Sequence, residues 1–284
     1  MATSSAISAL SLYIVIAAVG SASQPPADTF VYGGCSQAKY NPNSTYESNL
    51  NSLLTSLVNS ATYSSYNKFT VIGPTEQDVI YGLYQCRGDL SMPDCATCIA
   101  HSVSRLGSLC PESCGGTAQL EGCFVKFDNA SFLGVEDKGV LYRRCGPSIG
   151  YDARRITGRD AMLAALASGD GGSYYRVGGS GEVQGMAQCA GDLSVDQCRD
   201  CIGEAVGRLK SDCGTAELGE MYLGKCYAKY TIGGALSYSN FRKGSSKNQL
   251  GIKTFALIIG LLAGIVLLIV FLTFLCRVFG GSGK

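Results

Sequence analysis

The cysteines are the residues best placed to do chemistry. Fourteen are present, and four of them form the Cys-x2-Cys pairs Cys95/Cys98 and Cys198/Cys201, a spacing used by structural zinc sites and dithiol redox centres as well as by disulfides. Zinc would need two further thiolates or imidazoles close by, yet each repeat offers no second close pair and the chain has one histidine, His101. A Ser-His-Asp or Cys-His centre would have to use that same imidazole, whose counterpart 103 residues on is Glu204. His101 therefore reads as a partly exposed helix residue. The expectation is no enzyme, no metal and no cofactor, with the thiols oxidised to disulfides in an oxidising compartment.

Both ends of the chain point to that compartment. Residues 6–19 are a short apolar run followed by Gly20-Ser21-Ala22-Ser23, the form of a secretory signal over residues 1–23. Residues 255–275 are apolar and uncharged and would extend about 31 Å as a helix, enough to cross a bilayer core. A signal and one later span make a type I membrane protein, with a juxtamembrane stalk at 243–254 and a cytosolic tail at 276–284. Local charge argues the other way, because Arg242, Lys243, Lys247 and Lys253 precede the span and only Arg277 and Lys284 follow it. The signal decides, since translocation begins before the span emerges. Within the span Gly260-Leu-Leu-Ala-Gly264 permits close helix pairing, and Cys276 beside Arg277 is a palmitoylation candidate. The net charge of +1 supplies no basic surplus for a nucleic-acid partner.

The elements that must hold the cysteines are written twice. Cys86, Cys95, Cys98, Cys110 and Cys123 recur 103 residues later as Cys189, Cys198, Cys201, Cys213 and Cys226. Gln85-Cys86-Arg-Gly88-Asp89-Leu90-Ser91 likewise returns as Gln188-Cys189-Ala-Gly191-Asp192-Leu193-Ser194. The chain is a tandem repeat, with domains at 24–138 and 139–242. Ser91 and Ser194 each cap a helix of about 18 residues, on which Cys98, Val103 and Leu106, or Cys201, Val206 and Leu209, face the core. Residues 46–61 carry Leu50, Leu53, Leu54 and Leu57 at helical spacing, and the matching second-repeat helix is expected to open at the capping box Thr157-Gly-Arg-Asp160. Aromatic or β-branched runs at 69–72, 79–85, 123–127, 140–145, 174–177, 183–188, 226–231 and 236–241 read as antiparallel strands. The fold class is α+β: two tandem disulfide-stapled domains, each two helices packed on a small antiparallel sheet, followed by a single transmembrane helix.

The spacing C-x8-C-x2-C at Cys86/Cys95/Cys98 and at Cys189/Cys198/Cys201 resembles the signature of the ginkbilobin-type cysteine-rich domain of plants, named after an antifungal, mannose-binding seed protein. Two such domains, one span and a minimal tail resemble the plasmodesmata-located proteins over nearly the whole chain. The resemblance implies a non-enzymatic plasmodesmal membrane protein that regulates movement between cells, through callose deposition and defence signalling. It also implies an alternative, a cell-surface receptor for mannose or cell-wall glycans. Partners would be the lipid bilayer, a homo- or hetero-dimer mate met through the ectodomain or the span, and a receptor kinase or wall glycan.

The family's cysteine order implies Cys35–Cys110, Cys86–Cys95 and Cys98–Cys123, then Cys145–Cys213, Cys189–Cys198 and Cys201–Cys226. Cys114 is left over and could exchange roles with Cys110, which is favoured because its offset matches Cys213. A leftover Cys114 is either a buried thiol or an intermolecular bridge. Asn43-Ser-Thr45 and Asn129-Ala-Ser131 are N-glycosylation sequons, and in an extracellular segment both are expected to carry glycans.

Overall fold

The computed structural model describes residues 25–75, 78–169 and 172–233. The signal run, the strand expected at 236–241, the stalk, the span with Gly260 and Gly264, and Cys276 with the tail lie outside the described residues. Within them no helix is long and apolar enough to cross a membrane.

The first repeat runs β1 (Phe30–Cys35), α1 (Thr45–Ser60), β2 (Tyr66–Val71), β3 (Ile80–Cys86), α2 (Met92–Leu109), β4 (Gly115–Leu120) and β5 (Cys123–Asp128). The second follows as β6 (Val140–Cys145), α3 (Ala153–Ser168), β7 (Tyr175–Ser180), β8 (Val183–Cys189), α4 (Val195–Cys213), β9 (Leu218–Leu223) and β10 (Cys226–Ile232). Each repeat builds a five-stranded antiparallel sheet, ordered β1-β4-β5-β3-β2 and β6-β9-β10-β8-β7, with its two helices packed on it.

Local chemistry fixes the helices. Ser194 accepts from the Gln197 amide while the Gln197 side chain returns to the Ser194 amide, a closed capping box that starts α4. Ser91 accepts from the Asp94 amide at 3.3 Å, with Pro93 in the first turn of α2. Leu50, Leu53 and Leu57 of α1 meet Ile99 and Leu106 of α2 over Val125 and Phe127 of β5; Val103 lies at the margin of that core, only partly buried. Met162, Leu163 and Leu166 of α3 meet Ile202, Ala205 and Leu209 of α4 in the same way.

Six disulfides fasten the helix layer to each sheet: Cys86–Cys95, Cys98–Cys123 and Cys35–Cys110 in the first repeat, and Cys189–Cys198, Cys201–Cys226 and Cys145–Cys213 in the second. Each anchors α2 or α4 to a strand. Through loop entropy each stabilises by roughly 2.5–4.5 kcal/mol, a large share for domains of this size.

Two sequence expectations are corrected. The second-repeat helix opens at Ala153, not at Thr157, because the Asp152 carboxylate caps the amides of Arg154 and Arg155 at 3.1 and 3.2 Å; Thr157 is exposed within the helix. Strands β1, β4 and β9 were not among the expected runs, because their glycines resemble turn signals. Those glycines admit a neighbour: a Cβ on Gly116 would stand 2.8 Å from the Phe127 ring, so β4 is glycine-rich in order to seat the core.

Replacing Asp152 with alanine is expected to cost about 1 kcal/mol in urea denaturation, the usual value of an N-cap. Thr157→Ala is expected to stay within about 0.5 kcal/mol, as for an exposed site without special contacts. The opposite ranking would restore the later helix start.

Candidate functional site

The recurring Gln-Cys-x-Gly-Asp segment is where the two repeats meet. Tyr66 at the start of β2 and Tyr175 at the start of β7 hold matching places, paired with Gln85 and Gln188. Each reaches across to the other repeat. A Cβ on Gly88 would come within 2.6 Å of the Tyr175 ring, and one on Gly191 within 2.8 Å of the Tyr66 ring, so only glycine admits this clasp. Tyr32 and Tyr142, also equivalent by register, stack on each other with ring centres 6.2 Å apart. Contacts that recur in both directions about a two-fold rotation define an isologous interface, here within one chain.

Polar groups close the seam. The Gly191 amide donates to Gln85 Oε1 at 3.0 Å, and Gln188 Nε2 donates to the Cys86 carbonyl at 2.9 Å. Lys229, 2% exposed, meets Glu121 at 2.7 Å and lies 5.1 and 5.4 Å from the ring centres of Tyr222 and Tyr227. Lys225 and Asp192 pair with side chains 1% and 0% exposed. Arg87 grips Asp89 through Nε at 2.6 Å and Nη2 at 3.2 Å, and donates from Nη1 to the Glu121 carbonyl at 3.0 Å. The connecting segment joins in: Phe132 lies under the ammonium groups of Lys126 and Lys225 at 4.8 and 4.9 Å, and the Gly134 amide donates to Asp192 Oδ2 at 2.8 Å.

Burial governs the titration of this seam. It pushes Tyr32, Tyr66, Tyr175 and Tyr227 above the ordinary phenol range, with Asp137, Asp192 and Asp89 adding to the first three. It lowers Lys225 against the pull of Asp192. A crevice on the seam, lined by Tyr32, Arg87, Gln119, Glu121, Lys225 and Tyr227 among others, has room for roughly one or two waters. The seam joins the two domains.

Other residues singled out in the sequence lie elsewhere. Cys114 is the free cysteine among the described residues and is buried; burial, then Asp128, push its thiol up, and its carbonyl accepts from the Tyr46 hydroxyl at 2.6 Å. His101 is exposed on α2, 3.0 Å from Asp28. Asn43 is exposed at φ 62° just before the α1 cap, and Asn129 is half-buried after β5. Sequence reasoning missed the seam. Its signal was present, because Gln85, Gly88 and Asp89 repeat alongside the cysteines although no disulfide requires them.

The chain matches the family model described as salt stress response/antifungal over residues 34–130 and 155–232. It is 60% identical to plasmodesmata-located protein 7 of Arabidopsis thaliana over 256 residues, covering 90% of this chain and 85% of the relative. Plasmodesmata-located protein 6 of the same plant is 55% identical over 269 residues, 93% of each. The solved tandem DUF26 ectodomain of the Arabidopsis thaliana cysteine-rich receptor-like protein PDLP5 covers 72% of this chain and 100% of its own, at 47% identity and a TM-score of 0.68. That of PDLP8 covers 73% and 100%, at 43% and 0.70.

Tyr66→Ala is expected to cost about 2–3 kcal/mol, less than for a fully buried aromatic because Tyr66 is partly buried, and to expose residues 129–139 to limited proteolysis. Tyr66→Phe should leave both unchanged, because the Tyr66 hydroxyl has no hydrogen-bond partner. The tyrosines also set a pH limit. Their folded pKa values exceed the unfolded value of about 10, so the stabilisation is complete below about pH 10 and is lost as pH rises beyond it. Phenolate absorbance in an alkaline titration should show these tyrosines ionising together with unfolding; ionisation near pH 10 in the folded protein would contradict the burial.

Proposed function

The chain belongs to the plasmodesmata-located protein family, and from that premise we propose that it acts, without catalysing a reaction, as a plasmodesmal membrane protein that regulates movement between cells through callose deposition and defence signalling. The observation that carries the proposal is the 60% identity to plasmodesmata-located protein 7 over 90% of the chain.

In this proposal the signal 1–23 and the span 255–275 place the tandem domains outside the cell, against the wall, and the short tail in the cytosol. Glycans on Asn43 and Asn129 fit that side of the membrane. In this proposal an inward signal runs through a lateral partner such as a receptor kinase.

A C-terminal fluorescent fusion, imaged with a callose stain and a dye-movement assay in the same tissue, tests the proposal. Puncta at callose-marked walls with reduced dye spread on overexpression are the expected result. Uniform plasma-membrane signal with normal dye spread would contradict it and favour a surface glycan receptor.

A further inference from the structure

The net charge of +1 conceals two parts of opposite sign. All 22 acidic residues lie at or before Glu220, and with the 17 Lys and Arg found up to residue 241 they leave that part at −5; the remaining six bases, Arg242, Lys243, Lys247, Lys253, Arg277 and Lys284, follow without a single acid. Four of the six fall in the twelve residues 242–253, ahead of the span, the side on which a type I protein ordinarily carries fewer. The charged side chains just before them are already committed within the domains: Lys225 and Lys229 are paired with Asp192 and Glu121, and Glu220, 3% exposed, is held by Arg144 at 2.8 Å.

A basic block set apart from an acidic remainder marks a contact with a polyanion. Twelve residues reach at most about 40 Å even when fully extended, so the four cations act together on an extended polyanion and displace its counterions. Basic segments beside a membrane ordinarily meet the anionic lipids of the cytoplasmic leaflet. The topology proposed above, on which this inference rests, puts the stalk on the opposite face, where the wall polymers lie and those carrying carboxylates are the available polyanions. A neutral glucan offers no charge to meet. The net −5 of the preceding part repels the same polymer and confines the contact to the segment next to the membrane.

We propose that Arg242 and the stalk lysines Lys243, Lys247 and Lys253 form a binding site for an acidic wall polysaccharide, a polymer of uronate carboxylates, at the outer face of the membrane. The contact ties the chain to the wall beside its own span. It leaves the surfaces of the two domains free for other partners.

The full chain in phosphatidylcholine nanodiscs is titrated with polygalacturonate oligomers over a series of salt concentrations. Binding that weakens steadily with salt is expected, with none to a neutral β-1,3-glucan. Replacing Arg242, Lys243, Lys247 and Lys253 together with glutamine should weaken it about 100-fold or more, at roughly fivefold per cation beside an anionic surface. Lys243→Arg, Lys247→Arg and Lys253→Arg together should keep it, as should Arg277→Gln with Lys284→Gln on the other side of the bilayer. Unchanged binding in the glutamine variant, equal binding to the neutral glucan, or no binding to polygalacturonate would overturn the proposal. So would a stalk shielded from trypsin only when phosphatidylserine is added to the disc, the result of a lipid contact. Labelling of intact protoplasts with a membrane-impermeant amine reagent reads the topology separately. Labelled stalk lysines without polygalacturonate binding sink this inference alone; unlabelled stalk lysines beside a labelled Lys284 overturn the topology and the inference with it.

Discussion

A sheet with helices on one face has a second face to cover, and in this chain each repeat covers it with its twin. That constraint organises the ectodomain. Strand β10 is buried at all seven positions, because α4 lies against one side and the first repeat against the other. An alternating strand would suffice in a lone domain with one solvated face. Here Tyr227 and Lys229 point into the seam while Ala228 and Tyr230 point into the helix-side core.

Two kinds of fastening act at two levels. The disulfides lie within repeats and hold each helix layer to its own sheet, so they set the fold of a domain and leave the pairing of domains open. The seam performs that second task with tyrosine on glycine, amide hydrogen bonds and ion pairs. Buried pairs add little net stability over apolar packing, but removing one partner is costly. Domains joined by a linker are ordinarily free to move; here the connecting segment is itself pinned, with Phe132 under two lysines and Gly134 on Asp192.

What the sequence made legible followed from periodicity and spacing. The repeat, the helices at Ser91 and Ser194 and the core leucines of α1 are local patterns, and a local pattern is readable when its partners lie one turn or one strand away. The start of α3 was not, because Asp152 caps without a glutamate or glutamine three residues on, and the Thr157 box imitated a stronger signal. Strands β1, β4 and β9 were hidden because glycines that seat Leu109, Phe127 and Tyr230 look like turns until the opposing side chain is known. The seam was invisible for a related reason: the residues that make Gly88 necessary sit in the other repeat. Its one local trace was the repetition of Gln, Gly and Asp around a cysteine that explained only itself.

The central claim is that the two repeats form one cooperative body through the seam. Native-state hydrogen exchange on the ectodomain tests it most directly, because the amides of Gly134 and Gly191 are bonded to the opposite side of the seam. If the claim is right, these amides exchange with the same opening free energy as the central amides of β5 and β10. If they exchange many-fold faster while those strands stay protected, the repeats are separate domains in loose contact, and the account fails.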